Sequence, residues 1–133
     1  MPKQFISGIL FIVVLLAFTG CERPTPEQLR ERQHLPDPGF KGDIKIGAQL
    51  FNANCARCHG AEGRGSDQGP PLVNKIYRPG HHSDLTFHTA IKNGTLQHHW
   101  HFGDMPPIKG VSPEDATHII AYIRHEQRQA GIN

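Results

Sequence analysis

The chain lacks most of what a multidomain or multi-span protein would need. It has 133 residues, and after Gly20 only 36 of 113 are apolar. That is enough for one small domain with a modest core. No apolar run after residue 20 approaches the roughly 20 residues of a bilayer span. No alternating apolar and polar stretch marks a β-strand. Charge is nearly balanced, with 14 Lys and Arg against 12 Asp and Glu for a net +2. There is no basic stripe to hold nucleic acid. Cysteine is limited to three residues and methionine to two, so any sulfur chemistry must pass through very few positions. Against these shortages stand ten histidines, all after residue 20.

The first 20 residues hold one cation, Lys3, and no acid. Phe5 to Phe18 is an apolar run interrupted only by Ser7 and Gly8. It is too short for a comfortable span and predicts an export signal over residues 1–20. Thr19-Gly20-Cys21 then resembles the cleavage site of bacterial lipoproteins. That resemblance implies lipidation of Cys21 and a place in the bacterial cell envelope, facing the periplasm. Glu22 stands where an Asp, in this lipoprotein class, often signals inner-membrane retention, which favours the outer membrane. Residues 21–39 read as a flexible, lipid-anchored linker. Pro24, Pro26, Pro36 and Pro38 with interspersed charges cannot form a core, although a short helix around Pro26 to Gln33 is compatible with the composition. As a coil this tether reaches about 25 Å. Residues 40–133 remain as the folded domain.

The chemistry concentrates in Cys55-Ala56-Arg57-Cys58-His59. Cys-x-x-Cys-His reads as covalent attachment of a c-type haem. Two thiols three positions apart near a helix end can each add to one vinyl group of the same porphyrin edge, and the next residue, His59, then lies under the iron. A redox-active Cys-x-x-Cys would sit in a strand–helix pattern, which is absent. A zinc site would need a second Cys/His pair at matching spacing. The expected cofactor is one haem c, bound through Cys55 and Cys58. With Cys21 assigned to lipid, no thiol remains for a disulfide.

At this point the chain resembles the class I c-type cytochromes, over about residues 43–129. Gly47, Phe51 and the Cys-x-x-Cys-His motif match the first helix and haem-binding turn. Gly69-Pro70-Pro71-Leu72 matches the turn beneath the haem, and Met105-Pro106-Pro107 matches the distal loop. A terminal amphipathic helix with Tyr122 follows. The resemblance implies an all-α, cytochrome c-like fold of three to four helices around one haem. It implies iron ligation by His59 and Met105, with the Pro70 carbonyl orienting His59 and Leu72 in the turn beneath the haem. It also implies that Gly47 lets the first and last helices cross closely. His/Met ligation raises the potential relative to bis-His.

Three helices are predicted within the domain. Asp43 to Cys55 carries Ile46, Leu50 and Phe51 at near-helical spacing. Ser83 to Lys92 has Ser83 as N-cap, Gly94 as its stop, and Leu85, His88 and Ile91, or Phe87 with Ile91, as its buried face. Ser112-Pro113-Glu114-Asp115 opens the last helix with a capping-box pattern. Ala116, Ile119, Ile120 and Ile123 then form one apolar stripe.

The histidines His81, His82, His98, His99 and His101 have three readings. They serve as polar loop residues, or one replaces Met105 on the iron, or the cluster binds copper or zinc. Trp100 among them is suited to cover the haem edge and donate its indole N–H to a propionate. The leading expectation is a membrane-tethered monohaem electron carrier that acts between redox proteins as a monomer. It binds no nucleic acid and is not an enzyme. One alternative is a gas- or peroxide-binding sensor or catalytic subunit with a displaceable sixth ligand. The other is an envelope metal-binding protein that uses the histidine cluster.

Overall fold

The computed structural model describes residues 22–133. The expected signal over 1–20 and the expected lipidation site Cys21 lie outside the described residues. No described helix is long and apolar enough to cross a membrane. Five helices follow in order: α1 (Pro26–Arg32), α2 (Ile44–Asn54), α3 (Ala56–His59), α4 (Asp84–Asn93) and α5 (Pro113–Gln129). Short 3₁₀ turns occupy Ala61–Gly63 and Lys75–Tyr77. The described residues contain no strand, only one isolated antiparallel bridge between Thr95 and Met105.

The longest helix, α5, forms as its sequence dictates. Ser112 Oγ accepts the Asp115 N–H, the Asp115 carboxylate accepts the Ser112 N–H, and Pro113 takes the first helical position. These contacts satisfy amides that the first turn cannot pair internally. Ala116, Ile119, Ile120 and Ile123 are all buried.

Helix α2 crosses this stripe and packs mainly against it. Asp43 caps α2 by accepting the Ile46 N–H at 2.9 Å. Its buried face is Gly47 and Phe51, one turn apart. A Cβ at Gly47 would lie 2.0 Å from the His118 carbonyl oxygen, so only glycine permits this approach. Phe51 is fully buried and meets the Tyr122 ring at 5.5 Å, a burial that contributes about 2–3 kcal/mol. Ile46 departs from the expected stripe and is 45% exposed. The covered face runs through Gly47 and Phe51 with Ala48 and Leu50 packed partly against the core, leaving Ile46 outside it.

Helix α4 buries His88 and Ile91 against α5. Ser83 holds the N-cap position with an extended backbone, but its side chain makes no capping bond. Leu85, expected on the buried face, is 38% exposed and turns to a cavity described below. Within the proline-rich segment before residue 40, α1 is closed by a Thr25–Gln28 capping box. It touches α4: Lys92 Nζ donates to the Glu31 carbonyl, and the His34 ring stands edge-on to His88 at 6.2 Å.

Candidate functional site

Cys55 both ends α2 and begins α3, with a backbone that departs from the helix (φ −123°). The bend swings a single helical turn under the α2–α5 pair. Three-residue spacing sets Cys58 about one helical turn from Cys55. Cys55 is half-buried, Cys58 is exposed and His59 is buried. Burial, reinforced by the nearby Cys58, pushes the Cys55 thiol up to about 11, so it stays protonated at neutral pH.

His59 Nδ1 donates to the Pro70 carbonyl at 2.9 Å. A carbonyl only accepts, so the proton sits on Nδ1 and Nε2 keeps its lone pair. Burial lowers the His59 pKa against the opposing pull of that hydrogen bond, which keeps the ring neutral. Pro70 is placed by the preceding loop. Ser66 Oγ donates to the Cys58 carbonyl at 2.6 Å, and the Leu72 N–H donates to the Gly63 carbonyl at 2.7 Å.

An apolar cavity of about 490 Å³ lies between α2, α4, α5 and the loops. Cys55, His59, Pro70, Leu72, Trp100 and Met105 all line it, with Phe51, Phe87, Ile91 and Ile123 among its walls. Cys58 is not in the lining; it sits one turn away, on the exposed side of α3. Of the loop histidines, His82, His98 and His99 reach the lining, while His81 and His101 do not.

Met105 is held by its backbone. Thr95 and Met105 exchange two N–H to carbonyl bonds, at 2.9 and 3.0 Å. Gly94 makes this possible: its φ is +74°, and a Cβ there would lie 2.4 Å from the Met105 carbonyl. Asp104 accepts the Gln97 N–H and Gln97 accepts the Gly103 N–H, which ties the loop across its base.

The residues fit a haem. The cavity is apolar, and a neutral imidazole and a thioether line it. The Trp100 indole N–H is buried without a partner, close to the Tyr77 hydroxyl but not bonded to it. A buried donor without an acceptor is costly, and a haem propionate is an acceptor suited to it.

A polar network anchors the loop that carries part of this wall. Arg124 and Gln127 are buried on α5. The Arg124 guanidinium donates to Asp84 Oδ1 at 2.8 Å, to the Tyr77 carbonyl and Gln127 Oε1 at 2.7 Å, and to the His82 carbonyl. Gln127 Nε2 donates to the Leu72 and Tyr77 carbonyls. Neither residue stands out as a functional motif. Yet Gln127 lies one turn beyond Ile123 and Arg124 one turn beyond Ile120, so both continue the buried face. A polar residue on an apolar stripe is the signal that marks them.

Comparison with known proteins agrees with this geometry. Residues 44–127 match the family model described as Cytochrome c. The chain is 36% identical over 82 residues to the cbb3-type cytochrome c oxidase subunit CcoP of Rubrivivax gelatinosus, covering 60% of this chain and 25% of that protein. It is 32% identical over 117 residues to a thiosulfate dehydrogenase of Stutzerimonas stutzeri, covering 79% of this chain and 35% of the relative. Cytochrome c550 of Pseudomonas aeruginosa is 32% identical over 76 residues, covering 56% and 51%. The chain thus spans between a quarter and a half of the length of these relatives. The family match runs from the start of α2 to the last turn of α5: the chain belongs to the cytochrome c family, whose members carry covalently attached haem c.

Proposed function

We propose that this protein is a membrane-tethered monohaem cytochrome that passes single electrons between redox proteins of the cell envelope. Residues 1–20 would direct export, lipidated Cys21 would anchor the chain, and residues 21–39 would tether the domain of residues 40–133. Haem c, when bound, supplies a one-electron ferric/ferrous couple. The remaining work belongs to the chain. Cys55 and Cys58 would hold the group covalently. His59, its Nδ1 tied to the Pro70 carbonyl, and Met105 would ligate the iron through Nε2 and the thioether. Leu72 and the other apolar walls would exclude water, and Trp100 would donate its N–H to a propionate. The observation that carries this reading is that the Cys55 thiol, the neutral His59 ring and Met105 line one apolar cavity.

The test is an optical spectrum with a redox titration of the holoprotein. A low-spin ferric iron with a sulfur-to-iron absorption near the red end is expected, and Met105→Ala should abolish that absorption and lower the potential. A high-spin wild-type protein, or a spectrum unchanged by Met105→Ala, would overturn it. The likeness to a thiosulfate dehydrogenase over 79% of the chain favours one second reading, a catalytic one. In that case the isolated holoprotein, given thiosulfate and ferricyanide as electron acceptor, would oxidise thiosulfate with turnover, whereas an electron carrier would not accelerate its consumption.

A further inference from the structure

Two histidine pairs far apart in the sequence meet in space. His81-His82 ends the loop that Arg124 anchors, and His98-His99 lies on the loop that leads to Met105. One ligand nitrogen from each of His81, His82 and His99 falls within 4.8 Å of the others. The His81 and His99 ring centres are 5.3 Å apart, and those of His82 and His99 are 5.2 Å apart. His98 stands beside them, 4.3 Å from His99.

Hydrogen bonding orients two of these rings. His82 Nδ1 donates to the Ile76 carbonyl at 2.8 Å, and His98 Nδ1 donates to the Leu96 carbonyl at 2.8 Å. Both rings therefore keep the Nε2 lone pair, the arrangement typical of metal-ligating histidines whose second nitrogen is tied to a carbonyl. The His82 backbone is itself fixed by the Arg124 guanidinium.

We propose that His81, His82 and His99 form a binding site for a divalent transition-metal ion, of the class of zinc or copper, distinct from the haem iron. Three imidazoles without a thiolate or carboxylate suit these ions and disfavour magnesium and calcium. Three histidines with a fourth position left for water or His98 is an established zinc geometry. Nitrogens around a tetrahedral zinc are about 3.3 Å apart, so the widest pair must close by about 1.5 Å. His81 and His99 are exposed and can rotate to do so, while His82 stays anchored.

The site is tested with untagged holoprotein titrated calorimetrically with zinc chloride at pH 7.5. One equivalent should bind with a dissociation constant of micromolar or tighter. His81→Ala, which lies outside the cavity lining, should weaken binding tenfold or more. Absence of stoichiometric binding at micromolar zinc, or a smaller loss in His81→Ala, overturns the proposal. Anomalous scattering at the zinc edge from zinc-soaked crystals provides a second readout that needs no variant. The ion should lie between His81, His82 and His99, and an ion bound only elsewhere overturns the proposal.

Discussion

Where α2 crosses α5, the backbones are so close that Gly47 has no room for one added carbon. On the side of α4 and the loops, the same helices face a cavity of about 490 Å³. The first region is completed by its own residues: Phe51, Tyr122 and Ile123 fill the space that the glycine opens. The second has apolar walls with nothing of the chain's own between them. Left to water, those walls would forfeit much of the apolar burial on which a domain of this size depends. The loop side is therefore built to be finished by a bound group. Its shape is set by polar tethers: the Thr95–Met105 bridge, the His59–Pro70 bond and the Arg124 network.

The strongest way to break this contrast is to withhold the group. A Cys55→Ala/Cys58→Ala chain without haem should lose the loop side entirely and show no cooperative melt, because the remaining core is too small to hold the loops by itself. Next comes Arg124→Ala, which cuts the tie between the two regions. It strands the His82 carbonyl and Gln127 Oε1 and frees Asp84, and should cost about 3 kcal/mol in a urea melt. Its haem absorption should also change, since Tyr77 and His82 line the cavity. Gly47→Ala probes the close-packed side. The added methyl pushes α5 from α2 and should cost about 2 kcal/mol while leaving the His59 and Met105 signatures in place.

Smallest is the effect of Asp43→Asn at the α2 cap. The bond from the Ile46 N–H holds the Asp43 carboxyl below its ordinary value of 3.8, outweighing the opposing effect of burial. The folded protein therefore gives up this proton at lower pH than the unfolded chain. The Asp43 contribution is complete above the ordinary value and disappears as pH falls through the depressed one. Asparagine still caps but does not titrate. Stability measured between about pH 2 and 4 should accordingly vary less steeply in the variant.

The close-packed side is also the part most legible in the sequence. Ser112-Pro113 with Asp115 announces the start of α5, and the 116/119/120/123 stripe is its buried face because both signals are local. Ile46 is the exception there. Its place depended on how near α5 comes, which periodicity does not report. On the loop side, the Cys55–His59 motif is legible because attachment chemistry fixes its spacing. Arg124, Gln127 and the meeting of His81-His82 with His98-His99 are not. Each depends on contacts between segments far apart in the chain, set by the paths of the loops on either side of α4, which no local signal reports. The helix touching α4 before residue 40 belongs here too, since its contact rests on Lys92 reaching backbone carbonyls that no side-chain pattern encodes.

The Thr95–Met105 bridge has a consequence for how this protein can vary. Two backbone bonds clamp the base of the loop, so residues 96–104 leave and return at one fixed point. Lengthening the loop costs little, because loop-closure entropy grows only slowly with length. Its side chains are less free, since most of them, Trp100 included, line the cavity. Insertion at His101, which lies outside that lining, can thus rewrite the surface while the clamp keeps the Met105 backbone in register.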